Sequence, residues 1–451
     1  MTTKTTYPSI GYRSHSKSIL DSFAVHIIIG IFVLLYVTNN FYRVGGIPIQ
    51  LIILLPLTLS LARREMMKWT LSVGFGLPAM GIILVFVSRG LLTLHTTDLY
   101  SIVGNVTLLL GLLFGMALYV LRHPQRLLVI ARLVIIALSI SIVVYLLQFL
   151  GYAEAYTIRD IHLGNTPAPP QPTGLSTWAA HIGYQLAGLI PIAFTLVFSV
   201  RHVGSRLLLS ALLLVSIAVL FFSHQRSAFL GVGIATIFIL YHFRQSRIVV
   251  ITQIVLGLLV LTVLTPTYDA FVDLNRQLTG KSTLYVYDKF RNTEEINPRL
   301  ELQVQALKLL IEYPFGLGVV GKTWYDVADL SAFERPIYVH NGFLATAVDL
   351  GIFSFLWMVY IVVFMMRRFI RGLQNMPLTH SSYYLWRLGL LASLIAIIIN
   401  TLFHNDSLFG LERTSTSIYA ILVVWSALES KYPNLYSELI PADASPRQRR
   451  V

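Results

Sequence analysis

Twelve apolar runs, each close to the length of a membrane-spanning helix, constrain this chain more than any other feature. Such a helix needs about 20 mainly apolar residues. The runs lie at 23–39, 46–62, 69–88, 100–121, 127–149, 176–200, 206–222, 227–243, 247–265, 342–366, 384–404 and 410–428. Only 12% of the 451 residues are charged, against about 25% in a soluble domain. The sequence therefore predicts an all-α polytopic membrane protein with about twelve transmembrane helices.

Lysine and arginine residues in the short connections predict how these runs cross the membrane, because cytoplasmic loops carry an excess of both. Alternate connections and the two tails hold most of them: Lys4, Arg13, Lys17, Arg63, Arg64, Lys68, Arg122, Arg126, Arg201, Arg206, Arg244, Arg247, Arg367, Arg368, Arg371 and the final "RQRR". We therefore expect 1–22 and 429–451 to be cytoplasmic tails. The net charge of +13 is then mainly a topology signal, and no nucleic-acid partner is expected.

The connection at 266–341 is much longer than the others. It separates 23–265, with nine predicted spans, from 342–428, with three, and the alternation of sides makes it periplasmic. Within it, an apolar row and a polar row recur at helical spacing: Leu300, Val304, Leu307 and Ile311 in the first, and Glu301, Gln305, Lys308 and Glu312 in the second. This pattern predicts an amphipathic helix that lies at the membrane surface or caps the bundle.

Residues 316–321, "GLGVVG", spell the G-x-G-x-x-G fingerprint of dinucleotide-binding proteins. That fingerprint is meaningful only between a strand and a helix, and no β-rich stretch precedes it here. We interpret the segment as a glycine turn that follows the amphipathic helix. In a second interpretation its backbone N–H groups help to hold a phosphate, which makes Gly318 a candidate ligand.

The chain has no cysteine, which excludes disulfides, a thiolate nucleophile and cysteine metal sites. It also shows no Asp-x-Asp motif or histidine cluster suited to a metal. We therefore predict no metal and no cofactor. The remaining candidates are ionisable residues at the outer ends of the spans, where such residues are costly and often functional.

Arg226, in "SHQRSAF", is the first of these candidates. A very short turn holds it at the outer interface. A new helix begins there, and its N-terminal N–H groups favour an anion. The alternative is an interfacial arginine that extends to the lipid headgroups, and the position alone favours neither role.

Arg299 and His340 are the other two. Asn297 and Pro298 suit the N-cap and the first position of the amphipathic helix, so Arg299 falls in its first turn, where an anion is favoured. His340, just before the tenth run, is a candidate general base. Taken singly, a surface ion pair for Arg299 and a backbone hydrogen bond for His340 are the more ordinary roles. Together, two guanidinium groups and an imidazole suit a reaction that releases a phosphate.

These segments resemble the O-antigen ligase and O-antigen polymerase superfamily of bacterial envelope glycosyltransferases. The resemblance is carried by "SHQRSAFLG", "NPRLELQVQALKLLIEYPFGLGVVG" and "VHNGFLATAVDLGIFSFL", and it covers most of 170–365. It implies a GT-C-type bundle in the bacterial inner membrane. It also implies metal-independent, inverting transfer of a glycan from undecaprenyl diphosphate to an acceptor sugar at the periplasmic face.

By this resemblance, Arg226 and Arg299 would hold the diphosphate, and His340 would activate the acceptor hydroxyl. Further substrate contacts are expected from Arg89, Asn341, Gly318 and Tyr325. Arg89 lies at the outer end of a span, and Tyr325 could stack on a sugar, although aromatic residues near an interface are common.

The single long outer loop and the helix before the histidine favour a ligase, with the lipid A–core oligosaccharide as acceptor, over a polymerase of the same superfamily. Membrane lipid is the other expected partner. A transporter of lipid-linked glycans is the alternative from another class of protein. A transporter should carry charges near mid-membrane in several spans, whereas 127–149 and 247–265 are almost free of charge away from their ends.

Overall fold

The structure is a computed structural model that describes residues 23–38, 43–44, 47–48, 52, 75–92, 99–121, 123–163, 172–176, 181–200, 202–223, 225–242, 296–330, 338–376, 382–404 and 413–431. Its helices, in chain order, are α1 (Phe23–Val37), α2 (Gly76–Leu92), α3 (Leu99–Leu121), α4 (Arg126–Phe149), α5 (Ala153–Leu163), α6 (His181–Ser199), α7 (Val203–Phe222), α8 (Arg226–His242), α9 (Ile296–Glu312), α10 (Trp324–Val327), α11 (Gly342–Gln374), α12 (Ser382–Leu402) and α13 (Arg413–Lys431). A 3₁₀-helix, Leu317–Val320, lies between α9 and α10.

Within the described ranges, six helices are long and apolar enough to cross a membrane: Val103–Val120 of α3, α4, α6, Val203–Phe221 of α7, α11 and α12. α1 and Ser227–His242 of α8 are shorter apolar helices. The chain is therefore a helical, multi-pass membrane protein, as the apolar runs predicted. The total of twelve spans stays a prediction, because 247–265 and most of 46–62 lie outside the described residues.

Several boundaries differ from the sequence prediction; for example, α11 continues to Gln374, beyond the predicted end of its run at residue 366. Ile47 and Pro48, at the start of the predicted second span, instead form strand β2, which pairs antiparallel with β1 (Arg43–Val44). Gly45 and Gly46 separate the two strands in the sequence, and such a glycine pair favours a two-residue hairpin turn over a helix. In addition, α2 begins at Gly76 and extends to Leu92, beyond the predicted end of the third run at residue 88.

The last helix, α13, lies inside the bundle. Its residues are buried from Arg413 to Leu428, and it packs against helices that include α3, α6 and α12. Serine and threonine occupy four consecutive positions, 414–417, near its start. Because protein rather than lipid surrounds this helix, the polar positions are tolerated there.

Three helices, α6, α8 and α12, approach one another closely at small residues. A side chain at Gly231 of α8 would overlap the backbone carbonyl of Ala396 in α12. Ser393 of α12 donates a hydrogen bond of 2.6 Å to the carbonyl oxygen of Gly188 in α6. Small residues let membrane helices pack backbone to backbone, and this packing fixes where α8 begins.

Contacts between helices define two ends of the bundle. At one end, Ser227 at the start of α8 lies against Asn400 near the end of α12. We call it the Arg413 end, because α13 begins there at Arg413 and its last turns lie at the opposite end, where Glu429 pairs with Arg387. At the other, which we call the Arg387 end, Arg387 donates a hydrogen bond of 3.2 Å to the carbonyl oxygen of Phe369, near the end of α11. The N-terminus of α11 therefore lies at the Arg413 end, together with the N-terminus of α8.

Candidate functional site

His340 directly precedes α11 and is held by the cap of that helix. Asn341 is the N-cap, with an extended backbone, and its Oδ1 accepts hydrogen bonds of 3.0 Å from the N–H groups of Phe343 and Leu344. This satisfies two of the N–H groups that a helix start leaves free. The sequence predicted Asn341 as a substrate contact; the structure shows its side-chain oxygen engaged in the cap, and a contact with substrate stays a prediction.

Two further contacts tie the His340 segment to its surroundings. Tyr338 donates a hydrogen bond of 2.6 Å from its hydroxyl to Oδ1 of Asp349, which lies further along α11. Gln303 of α9 donates a longer hydrogen bond of 3.5 Å to the carbonyl oxygen of His340. The imidazole is half-buried. Tyr338 was not among the predicted site residues; its position two residues before the histidine was the available signal in the sequence.

An aromatic group lies beside this segment. The ring of Tyr338 is 6.0 Å from the ring of Trp324 and 5.9 Å from the ring of Tyr325, between centroids. Trp324 is fully buried, whereas Tyr325 is 52% exposed. Burial raises the pKa of the Tyr325 hydroxyl, and the negative charge of Asp349 raises it further, so the phenol remains a hydrogen-bond donor at neutral pH. An exposed aromatic face with a donor suits a sugar, as the sequence predicted for Tyr325, but no contact with a sugar is tested.

The G-x-G-x-x-G segment is a turn that docks on α11. Gly316 and Gly351 both have positive φ angles, 91° and 82°, and α11 is kinked at Gly351. The N–H of Ile352 donates a hydrogen bond of 2.9 Å to the carbonyl oxygen of Pro314, which satisfies a group that the kink releases. A Cβ at Gly316 would lie 2.5 Å from the backbone nitrogen of Gly351. The interpretation as a glycine turn is therefore confirmed. Gly318, inside the 3₁₀-helix, remains only a predicted phosphate ligand.

α9 confirms the predicted amphipathic helix and packs on the start of α11. It begins at Ile296, one residue earlier than the predicted cap at Asn297, so Asn297 and Pro298 lie within its first turn. A proline is tolerated there because its missing N–H would have no partner in the helix. Arg299 is also in this first turn, and its side chain lies outside the described residues.

Buried side chains of α9 join those of α10, α11 and the segments between them in a small hydrophobic cluster: Leu302, Ala306, Leu309, Leu317, Trp324, Val339, Ala345 and Val348. Val339 belongs to this cluster and is the neighbour of His340. The cluster therefore fixes α9 and the His340 segment relative to each other.

Arg226 is the first residue of α8, and the preceding helix ends at Phe222, so the predicted short turn is confirmed. The next residue, Ser227, donates a hydrogen bond of 2.6 Å to Oδ1 of Asn400. Asn400 is fully buried, and its side-chain nitrogen has no hydrogen-bond partner among the described residues. The side chain of Arg226 itself lies outside the described residues.

The structure thus brings Arg226 and His340 to the same end of the bundle, and Arg299 follows His340 because α9 packs there. Arg89 lies near the C-terminus of α2, and its side chain is not described. Gln303 links α9 to His340. Among the residues described, no group of three or more His, Cys, Asp or Glu side chains could hold a metal ion.

Part of the chain matches a known protein family. Residues 211–359, about a third of the chain, match the family described as O-antigen ligase. This region belongs to the O-antigen ligase family. The O-antigen ligase region runs from within α7 into α11 and contains Arg226, Arg299 and His340, so the predicted resemblance is confirmed. No curated protein is significantly similar to the chain.

Proposed function

We propose that this chain is an O-antigen ligase that transfers a glycan from undecaprenyl diphosphate to the lipid A–core oligosaccharide. The observation that carries the proposal is the coincidence of two findings. The O-antigen ligase match spans Arg226, Arg299 and His340, and the helix starts that bear them lie at one end of a membrane bundle.

In the proposed reaction, His340 is the general base. Its imidazole takes the proton from an acceptor hydroxyl as the oxygen attacks the anomeric carbon of the donor glycan. A new carbon–oxygen bond forms, and the bond from the anomeric carbon to the diphosphate oxygen breaks. Because attack comes from the face opposite the leaving group, the anomeric configuration inverts. Undecaprenyl diphosphate leaves.

Arg226 and Arg299 are proposed to bind the leaving diphosphate. Guanidinium groups bind phosphate oxygens in a bidentate manner, and charge that gathers on the phosphates in the transition state strengthens these contacts. The start of α8 adds backbone N–H groups that favour an anion. We propose Arg89, Asn341, Gly318 and Tyr325 as secondary substrate contacts, and a reaction that needs neither metal nor cofactor.

The membrane arrangement that accompanies this proposal is the one that the loop charges favour. The Arg413 end would face the periplasm of a bacterial inner membrane, and both tails, 1–22 and 429–451, would be cytoplasmic. Twelve spans in a GT-C-type bundle, divided into 23–265 and 342–428 by the periplasmic loop 266–341, complete it. Cysteine labelling of the two tails in intact and opened cells tests this topology.

A transporter of lipid-linked glycans is less well supported. A transport path should carry charged side chains near mid-membrane. The buried arginines among the described residues are Arg387, close to the start of α12, and Arg413, the first residue of α13. Both lie near helix ends, at opposite ends of the bundle, and neither lies near mid-membrane, where a transport path would need charge.

The deciding experiment incubates pure protein with lipid-linked glycan and lipid A–core. Attachment of the glycan to the core supports the ligase. Growth of the glycan on its polyprenol, without attachment to the core, would make the chain a polymerase of the same superfamily. Movement of the intact donor across vesicles, without either product, would favour the transporter.

A further inference from the structure

α9 carries two apolar rows that face in nearly opposite directions. Leu302, Ala306 and Leu309 are buried in the cluster against α11. The row that the sequence predicted as its apolar face is exposed, from 43% at Val304 to 83% at Ile311, and it consists of Leu300, Val304, Leu307 and Ile311. With 3.6 residues per turn, the centres of these rows lie about half a turn apart. The polar row lies between them.

The exposed row continues beyond the end of α9. Phe315, Val319 and Val320 are also exposed, and Phe315 stacks on Phe353 of α11 with 5.9 Å between ring centroids. We call the combined patch the outer apolar surface; it comprises Leu300, Val304, Leu307, Ile311, Phe315, Val319, Val320 and Phe353. An apolar patch of this extent is unusual in contact with water.

Through Phe353, the outer apolar surface adjoins a face of α11 that carries further exposed apolar residues. Phe353 is followed on α11 by other exposed apolar residues, namely Leu356, Tyr360 and Val363. α11 is one of the helices long and apolar enough to cross a membrane, so this exposed face meets lipid. The stacked pair Phe315 and Phe353 joins the two surfaces.

We propose that the outer apolar surface is buried in the acyl chains of the leaflet next to the Arg413 end, so that α9 lies in the membrane interface. The arrangement of α9 fits such a helix. One row packs on protein, the opposite row meets lipid, and the row between them, with Glu301, Lys308 and Glu312, stays in water. Lipid, rather than protein, is expected to cover this surface, because it adjoins the lipid-facing side of α11.

Such an anchor would set the depth of His340. Gln303 on α9 contacts the carbonyl oxygen of His340, and the turn at Gly316 is fitted against Gly351 without room for a side chain. One contact therefore joins α9 to the His340 segment directly, and the other joins the turn after α9 to α11, the helix that His340 precedes. The depth of α9 in the leaflet would therefore determine the depth of His340.

The absence of native cysteine allows a direct test in the full-length chain. Leu307→Cys and Ile311→Cys carry a nitroxide on the apolar row, and Lys308→Cys and Glu312→Cys are matched controls on the exposed polar row. In nanodiscs of phosphatidylethanolamine and phosphatidylglycerol, we expect the first pair to show a several-fold higher ratio of oxygen to water-soluble nickel accessibility. Val320→Cys should behave like the first pair, although it lies outside α9.

Two outcomes would overturn the proposal. Equal ratios in the two pairs would mean that both rows face water. Protection of positions 307 and 311 from both oxygen and nickel would mean that protein, either another part of this chain or a second copy, covers the surface. Because positions 307 and 311 are exposed, the variants are expected to fold, and an unchanged melting temperature of each variant verifies this.

Discussion

The polar side chains at the two ends of the bundle can be compared by the hydrogen bonds and ion pairs that they form. At the Arg387 end, the guanidinium of Arg387 forms an ion pair with Glu429 and lies 5.8 Å from the centroid of the Trp425 ring. Arg368 bonds to Ser426 and Ser430 nearby. These groups find protein partners of opposite charge or complementary hydrogen bonding, and they join α11, α12 and α13.

At the Arg413 end, part of the hydrogen-bonding capacity is unused. The side-chain nitrogen of Asn400 and Oε1 of Gln185 are buried, and neither atom has a partner among the described residues. Leaving such a group unpaired costs about 1–3 kcal/mol. The Arg413 end also bears the starts of the helices with Arg226 and His340. Our hypothesis is therefore that the Arg387 end mainly stabilises the fold and that the Arg413 end binds substrate. The predictions below test that division.

The largest expected effect is on the histidine. His340→Ala should lower the transfer rate by about 10²- to 10⁴-fold, the usual contribution of a general base, while the protein remains folded. The matched control is His242→Ala, at the other end of α8, where Nδ1 contacts the carbonyl oxygen of Phe238. Transfer is measured as glycan attached to core by purified protein. A His340→Ala variant with a normal rate would refute the assignment of the base.

Breaking the ion pair at the Arg387 end should lower stability, whereas the loss of His340 should lower the transfer rate. Arg387→Met leaves Glu429 without its buried partner and should cost about 3–5 kcal/mol in the free energy of unfolding. The double variant Arg387→Met, Glu429→Leu should recover much of this loss, because no charge is then left unpaired. Thermal melting in lipid nanodiscs measures both variants. If Arg387→Met melted like the native protein, the structural role of this end would be wrong.

Arg226 should affect rate with little change in stability. Arg226→Ala should lower transfer by about 10²-fold, as when one contact to developing charge is removed, and Arg226→Lys should recover only part of it, because lysine lacks the bidentate fork. The comparison variant at the other end is Arg368→Ala, for which we expect a lower melting temperature. Equal rates for native protein and Arg226→Ala would remove this arginine from the proposed diphosphate site.

The glycine contact between the α9 turn and α11 gives a smaller effect that couples stability and activity. Gly351→Ala should destabilise the protein by about 1–3 kcal/mol, the usual cost of a strained backbone conformation, because the residue has φ 82° and its Cβ would lie 2.5 Å from the backbone of Phe315. Gly104→Ala is the control, since nothing lies within 4 Å of a Cβ there. We expect lower melting and faster proteolysis near α9 for the first variant alone. Identical proteolysis of the two variants would contradict the docking role of Gly351.

The sequence was sufficient for much of the fold because lipid imposes a simple requirement. A span must be apolar for about 20 residues, so the long apolar helices were predicted close to their observed positions, even buried α13 with its serine and threonine residues. The shorter and more polar α5 was not predicted. The face by which α9 packs could not be predicted, since its two apolar rows are similar and only the shape of α11 decides between them. The kink at Gly351 also depends on a partner far away in the sequence, the turn at Gly316.

In the candidate site, too, contacts between segments distant in the sequence could not be predicted. Arg226, Arg299 and His340 were singled out as candidates because charged and histidine side chains are conspicuous in such an apolar sequence. The residues that hold the neighbouring segments in place, such as Tyr338, Gln303 and Asn400, carry no comparable signal. Their importance arises only from three-dimensional contacts, for example the one between Ser227 and Asn400.

The smallest predicted effect on the transfer rate concerns the hydrogen bond from Tyr338 to Asp349, at the Arg413 end. Tyr338→Phe keeps the ring and removes the hydroxyl that bonds to Asp349 at 2.6 Å. A hydrogen bond to a charged group contributes about 1.5–3 kcal/mol, and part of that would appear as looser positioning of His340. We expect kcat to fall about 10-fold with an unchanged KM for the donor, because the residue positions the base rather than the diphosphate. Tyr313→Phe is the control: it removes a hydroxyl of the same cluster that accepts a hydrogen bond of 3.5 Å from Lys322 at the surface, and it should leave kcat close to the native value. If Tyr338→Phe lowered only the melting temperature, its hydrogen bond would belong to the folding scaffold, and the division between the two ends would be less sharp than the contacts indicate.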